Sequence, residues 1–331
     1  MNATCLINSH NYRAFVGEAI QSALDQTKPF DEVIVVDDGS TDGSQQYLRD
    51  TYGNDSRVKI LCKSQNGQLS CFNRGIAYVS TDLVFFLDAD DRYRPDYLEK
   101  AERLYANRSE VDFLSVAPHH FGSSSTSGKR RMRPTRDWGI SVLGALFGNH
   151  WIGECTSCLS MRTATARAVL PYPREEDWIT RADDVLVFGS SIVGAFKHHL
   201  EEPLVEYRIH GQNAFAGHRF DATAKMRRSL AINRLANWYA QESGFELDLL
   251  PRWLHREFRT RQLPTFREWL DYLQLSLRAR LPLSIRCQHL ASMMSHYFTA
   301  GLLGDNAAKR DVSPQPASLG QQLAATDADA A

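Results

Sequence analysis

Two runs of acidic residues stand where apolar segments end. Val35-Val36-Asp37-Asp38-Gly39-Ser40-Thr41-Asp42 carries two carboxylates off a β-branched run and into a glycine turn. Phe85-Phe86-Leu87-Asp88-Ala89-Asp90-Asp91 places three carboxylates within four residues. A plain strand-to-helix turn explains part of the first run, with Ser40 or Thr41 as N-cap and Asp42 favouring the helix dipole. It gives no reason for two acids to end a strand. Adjacent carboxylates repel unless a cation sits among them, and hard oxygen ligands suit Mg²⁺ or Mn²⁺ carrying a diphosphate. An aspartyl-phosphate phosphatase would need such acids on its first strand, which here ends Asn8-Ser9-His10.

Such chemistry needs strands that deliver the acids to one edge. Ala3–Ile7, Glu32–Val36, Val58–Cys62 and Leu83–Leu87 read as buried strands. Between them, residues 12–26, Thr41–Asp50 and Gln68–Val79 read as helices, the first with Phe15, Val16, Ala19, Ile20, Ala23 and Leu24 on one face. This alternation predicts an α/β fold with right-handed βαβ units and a parallel sheet, its ligand outside the carboxyl ends of the strands. Residues 96–106 read as a helix and 107–150 as less regular, with Gly122–Pro134 a mobile loop. A mixed segment follows, ending in a strand at Leu204–Tyr207. Residues 222–304 read as all-helical, and 305–331 as a disordered tail.

The chain has 331 residues, 43% hydrophobic and 23% charged, enough for a sizeable core without disulfide or metal staples. Its Lys+Arg count of 38 against 39 Asp+Glu gives no support for bulk nucleic-acid binding or general attraction to anionic membranes. No apolar run reaches the ~18–20 residues that span a bilayer. The first residues lack a signal-peptide pattern, so a cytoplasmic location is expected. The six cysteines, including Cys155-Thr156-Ser157-Cys158, read as reduced structural thiols.

Together these segments resemble the family-2 glycosyltransferases. Ile7-Asn8-Ser9-His10-Asn11-Tyr12 is similar to the family's first-strand Pro-Thr-Tyr-Asn segment, with Asn8 in place of the Pro and His10 in place of the aromatic against the base. Ala19–Thr27 resembles the helix after it. Asp37-Asp38-Gly39-Ser40 resembles the base-binding turn, and the likeness assigns Asp38 to a pyrimidine edge. Gly67-Gln68-Leu69-Ser70-Cys71-Phe72-Asn73-Arg74-Gly75 is similar to Gly-Gln-x-Ser-Ala-Phe-Asn-x-Gly of a bacterial subset, and Asp88-Ala89-Asp90 to the DXD triplet. Thr156-Ser157 with Met161-Arg162 resembles an acceptor-side stretch, with Cys155 replacing its Pro. Arg181-Ala182-Asp183-Asp184-Val185-Leu186 looks like the Glu-Asp-x-x-Leu helix start, and Glu202–Gly211 like the segment that closes the catalytic domain.

The resemblance implies a GT-A Rossmann-like nucleotide-diphospho-sugar transferase fold with a C-terminal helical extension. Residues 1–95 would bind the nucleotide-sugar, 96–218 the acceptor, and 219–304 would form the helical region. It implies nucleotide-sugar contacts at Asn8, Ser9, His10, Asn11, Asp37, Asp38, Gly67, Gln68, Asn73, Asp88 and Ala89, and acceptor contacts at Thr156 and Ser157. Asp90 and His210 would hold Mn²⁺ or Mg²⁺. Asp183 would be the general base, with Asp184 the second candidate and Glu176-Asp177 the third. Trp151 and Trp138 could stack on a sugar face or pack in the core.

The implied activity is inverting hexosyl transfer from a UDP- or dTDP-sugar to a glycan, lipid-linked or small-molecule acceptor, as in polysaccharide biosynthesis. The chain lacks the Gln-x-x-Arg-Trp motif of processive synthases. A sugar nucleotidyltransferase would want a Gly-rich basic first loop, and a non-catalytic nucleotide-sugar scaffold would survive loss of Asp183. The Arg- and Leu-rich stretch 266–304 could pack on the catalytic domain, form a homodimer or touch a membrane peripherally.

Overall fold

Four strands deliver the acids: β1 (Ala3–Ser9), β2 (Glu32–Asp38), β3 (Val58–Lys63) and β4 (Leu83–Asp88). They are parallel neighbours in the order β3-β2-β1-β4, joined by α1 (Val16–Leu24), α2 (Ser44–Tyr52) and α3 (Gln68–Ile76). Both sheet faces are covered. Leu6, Val36 and Phe86 enter one core, while Cys5, Ile7, Val35 and Phe85 enter the other. A strand buried on both faces has no polar alternation, which is why β2 and β4 are continuous apolar runs, whereas the edge strand β3 carries Lys59 and an exposed Cys62.

The computed structural model describes residues 1–122, 133–211, 213 and 221–310. After β4 come β5 (Arg92–Tyr93), α4 (Tyr97–Asn107), β6 (Phe113–Gly122), β7 (Arg136–Gly139) and α5 (Val142–Gly148). Then follow β8 (Leu159–Arg162), α6 (Thr163–Val169), α7 (Ala182–Ile192) and β9 (Lys197–Ile209). The sheet continues β4-β8-β6-β9-β5 with β7 on β9, and β8 runs antiparallel to β4. The winding order reverses between β1 and β4, where a doubly wound sheet opens its crevice. The register there sets Asn8 beside Asp88 and Ser9 beside Asp37.

The C-terminal region holds α8 (Ala222–Glu242), α9 (Leu254–Phe258), α10 (Phe266–Arg278) and α11 (Leu283–Arg310). A third core, including Leu143, Leu254, Phe258, Tyr272 and Met293, packs α5 against these helices. No described helix is long and apolar enough to cross a membrane.

Several elements differ from expectation. Helix α2 starts at Ser44, because the residues expected to cap it are engaged elsewhere. Ser40 Oγ accepts from Asn11 N–H (2.8 Å) and Thr41 Oγ1 donates to Asn11 Oδ1 (3.4 Å), while Asp42 Oδ1 accepts from Ser44 N–H (3.0 Å) at the start of the helix. Strands β6 and β7 and helix α5 occupy the segment that read as irregular, and β9 begins at Lys197 rather than Leu204. Helix α11 continues through Arg310, so residues 305–310 belong to it. Residues 311–331 of the expected tail, and 123–132 of the expected loop, lie outside the described residues.

Gly67 marks the seam between the two halves. At φ +92° and ψ 174° it occupies a region open essentially to glycine alone. A Cβ there would lie 2.4 Å from Ile179 Cα. Gly67→Ala is therefore expected to cost about 2 kcal/mol or more of unfolding free energy, measured by urea denaturation. A wild-type midpoint would contradict this close approach.

Candidate active site

A cavity of about 840 Å³ opens at the carboxyl ends of β1, β2 and β4. Of the residues expected at the site, its wall includes Asn8, Ser9, His10, Asp38, Gly67, Gln68, Asp88, Asp90, Thr156 and Asp183. Asn11, Asp37, Asn73, Ala89, Ser157, Asp184 and His210 are not in the wall.

At the β1–β2 end, Asn8 Oδ1 and Ser9 Oγ are buried without a hydrogen bond in the protein. Buried polar atoms without partners are uncommon, and a polar ligand would satisfy these two. His10 is fixed by its neighbours. Asn11 Nδ2 (3.2 Å) and Gln65 Nε2 (3.1 Å) both donate, so Nε2 accepts and Nδ1–H donates to the Asp38 carbonyl (2.8 Å). The Asp38 carboxylate accepts from Asn66 N–H and Gly67 N–H (2.8 Å each) and pairs with Lys63. A base-edge contact at Asp38 would therefore share a carboxylate that already holds the loop after β3.

The expected donor contacts outside the wall build its frame. Asp37 is fully buried and accepts from Ser40 N–H and Gln45 Nε2 (2.8 Å). Asn11, at φ +57°, pins the turn after β1 to residues 40–41, in a conformation asparagine tolerates. Asn73 donates to Tyr172 O (2.8 Å) and Glu175 Oε1 (2.7 Å) and accepts from Tyr172 N–H (3.0 Å), fastening α3 to the segment before α7. Ala89 is buried, and its N–H donates to Asn8 O (3.1 Å).

At the end of β4 the acids crowd together. Burial first, then the charges of Asp90 and Asp183, pushes Asp88 up to about 7. Asp90 Oδ2 accepts from His210 Nε2 (3.0 Å), and this pair could hold a cation. Among the described residues, no group of three or more His, Cys, Asp or Glu side chains is arranged to hold a metal by itself. Asp91 is held inward, accepting from Ser157 Oγ (2.6 Å) and Arg208 N–H (2.8 Å), and burial raises its carboxyl well above the usual range. Ser157 Oγ also accepts from Asp88 N–H (3.1 Å). Ser157, expected to meet the acceptor, is thus fully buried and builds the acidic loop instead.

Gln68 joins this end to the other side of the cavity. Its Nε2 donates to Asp88 Oδ1 (2.7 Å) and Thr156 Oγ1 (3.2 Å), and its Oε1 accepts from Ala182 N–H (2.9 Å) at the start of α7. One residue on, burial and then the charge of Asp184 push Asp183 up to about 7, against the opposing pull of Arg181. Asp184 faces elsewhere. Its buried carboxylate accepts from Arg181 Nε and Nη2 (3.0 and 3.2 Å) and from Arg228 Nε and Nη2 (2.8 Å each). Burial would raise it, but the two guanidiniums hold it below the usual carboxylate range. Asp177, of the third candidate pair, is taken by Arg234 in the same forked manner.

Trp151 lies in the wall with its indole N–H unpartnered, whereas Trp138 stacks under Arg136 at 3.7 Å, outside it. Cys155 and Cys158 are free thiols with sulfurs 3.6 Å apart, as expected. Lys63, Asp91, Arg181, Arg208 and Arg228 are working parts that sequence reasoning did not place. Asp91 carried a signal in its position inside the acid run, and Arg181 and Arg208 stood inside segments that resemble family motifs; Lys63 and Arg228 carried none.

Comparison with known proteins gives the family and the fold. Residues 4–167 match glycosyl transferase family 2. An uncharacterized glycosyltransferase of Haemophilus influenzae is 32% identical over 261 residues, covering 74% of this chain and 76% of that protein. The chain belongs to glycosyl transferase family 2. An uncharacterized glycosyltransferase of Nostoc is 28% identical over 73% of this chain and 75% of its own length. Among solved structures, S. aureus TarS aligns with a TM-score of 0.55 at 17% identity, over 91% of this chain and 55% of that one. Its 1–349 fragment in complex with UDP-GlcNAc aligns at 0.53 and 17% identity, over 90% and 73%. The fold is therefore the GT-A fold, and the protein is a glycosyltransferase.

Gln68→Leu keeps much of the side-chain volume but removes three polar contacts. It should cost about 2 kcal/mol or more, because a buried carboxylate and a helix N–H lose their partner, measured by chemical denaturation. A wild-type stability would show that Gln68 does not bridge the halves.

Proposed function

We propose that this enzyme transfers one sugar from a pyrimidine nucleotide-diphospho-sugar to an acceptor hydroxyl, with inversion and with Asp183 as general base. The observation that carries this reading is the meeting of Asp183 with Asp88 and Asp90 in one cavity whose β1 end offers unpartnered polar atoms. TarS, of the same fold, has been solved with UDP-GlcNAc and with UDP, which makes UDP the first nucleotide to test.

The donor would lie with its nucleoside against Asn8, Ser9 and His10 and its diphosphate towards Asp88 and Asp90. Asp90 and His210, in contact at 3.0 Å beside the carboxylates of Asp88 and Asp91, would hold Mn²⁺ or Mg²⁺. A bound cation would neutralise the charge that develops on the departing diphosphate.

Asp183 takes the acceptor's hydroxyl proton onto its carboxylate. The freed oxygen pair forms the new bond to the anomeric carbon as the bond from that carbon to the diphosphate oxygen breaks. A single displacement inverts the centre. Asp184 cannot share this task while two arginines occupy both its oxygens. Trp151 offers a flat apolar surface to a sugar acceptor. The acceptor is a glycan, a lipid-linked sugar or a small molecule, and polysaccharide assembly in the cytoplasm is the setting we infer.

Asp183→Asn should lower kcat about 10²–10⁴-fold while leaving nucleotide binding nearly unchanged. The base works deprotonated, so kcat/KM of the wild type should fall as pH drops below about 7 and level off above it. Turnover unchanged in Asp183→Asn, in an assay following nucleotide release, would remove Asp183 as the base.

A further inference from the structure

We propose that Arg228, on the first helix of the C-terminal region, is a positioning residue for the base and acts on it through Asp184. This rests on the reading of Asp183 as base. The first turn of α7 is gripped at three points. Gln68 takes the Ala182 N–H (2.9 Å) from the donor side, Arg181 folds back onto Asp184, and Arg228 reaches Asp184 from α8. Arg181 itself sits at φ +66°, a left-handed conformation that non-glycine residues adopt only when their surroundings impose it.

The Arg228 contact is a forked one, with Nε and Nη2 each 2.8 Å from a carboxylate oxygen, the geometry that fixes orientation as well as charge. Asp184 has 0% side-chain exposure, so its carboxylate cannot turn to water when a partner is lost. Its own N–H donates to Asp183 Oδ1 (3.0 Å). A shift of Asp184 therefore passes directly to the carboxylate that faces the acceptor. Arg228 also lines the cavity, so α8 forms part of the wall on that side.

The same helix supplies its own control. Arg234, six residues on, grips Asp177 through Nε (2.9 Å) and Nη2 (2.5 Å), and neither residue lines the cavity. If Arg228 merely docked α8, losing either clasp would have the same consequence.

The test compares Arg228→Met, Arg228→Lys and Arg234→Met in the full chain. Arg228→Met should lower kcat about 10–100-fold, the scale expected for a misplaced catalytic group, with donor KM and nucleotide binding held within about twofold. Arg228→Lys should recover part of that loss, since it restores charge but not the fork. Arg234→Met should lower the melting temperature yet keep kcat within about twofold. Equal kcat losses in Arg228→Met and Arg234→Met, or wild-type kcat in Arg228→Met, would overturn the proposal. Should Arg228→Met not fold, Asp184→Asn replaces it, with the same kcat loss expected and wild-type kcat overturning it. Failure of the base reading is separate, because it appears as full turnover in Asp183→Asn.

Discussion

Carboxylates that repel one another have to be held together by other groups, and the polar contacts around the cavity answer that need. Asp38 is held by Lys63 and two backbone N–H groups, Asp91 by Ser157 and the Arg208 backbone, and Asp184 by two arginines. Each of these is spent on structure. The cavity wall carries Asp38 together with Glu154, Asp88, Asp90 and Asp183, and of these Asp88 and Asp183 are pushed up to about 7 mainly by burial. Such a concentration of charge is costly for the empty protein and favourable once a cation or a proton arrives.

Gln68 links the two sides of this arrangement. A neutral amide can donate to a carboxylate and accept from a helix N–H in the same side chain, which no charged residue can do. It spans Asp88, Thr156 and Ala182, so the donor-side acids and the base-side helix are set by one group. The lack of a side chain at Gly67 permits the same seam to close, because Ile179 lies where a Cβ would be.

The first four strands and the acids that end two of them, Asp38, Asp88 and Asp90, were legible in the sequence for a physical reason, whereas Asp183 was found only through the resemblance of its segment to a family helix start. Parallel strands buried on both faces leave long apolar runs, and a carboxylate ending such a run is conspicuous. The division of labour among neighbours was not legible. Asp183 and Asp184 are adjacent and alike, and what separates them is Arg228, distant in sequence and brought close only by packing of α8 on α7. Ser157 and Asn73 sit in segments that resemble binding motifs, yet neither lines the cavity, and their side chains close the frame by bonding to Asp91 and Tyr172. Strand β6 and the first half of β9 escaped notice because polar and charged pairs, such as His119-His120 and Glu201-Glu202, interrupt their apolar runs.

The central claim is that this cavity is a metal-dependent nucleotide site. Thermal unfolding with UDP, dTDP, GDP or CDP, each with Mn²⁺, Mg²⁺ or EDTA, tests it most directly. A ligand at about 100 times its Kd adds ~2.7 kcal/mol to the native state. The account predicts that a pyrimidine nucleotide with Mn²⁺ or Mg²⁺ raises the melting temperature, and that EDTA or Asp90→Asn abolishes the shift. No shift with any nucleotide, or a shift of equal size in EDTA, would contradict it.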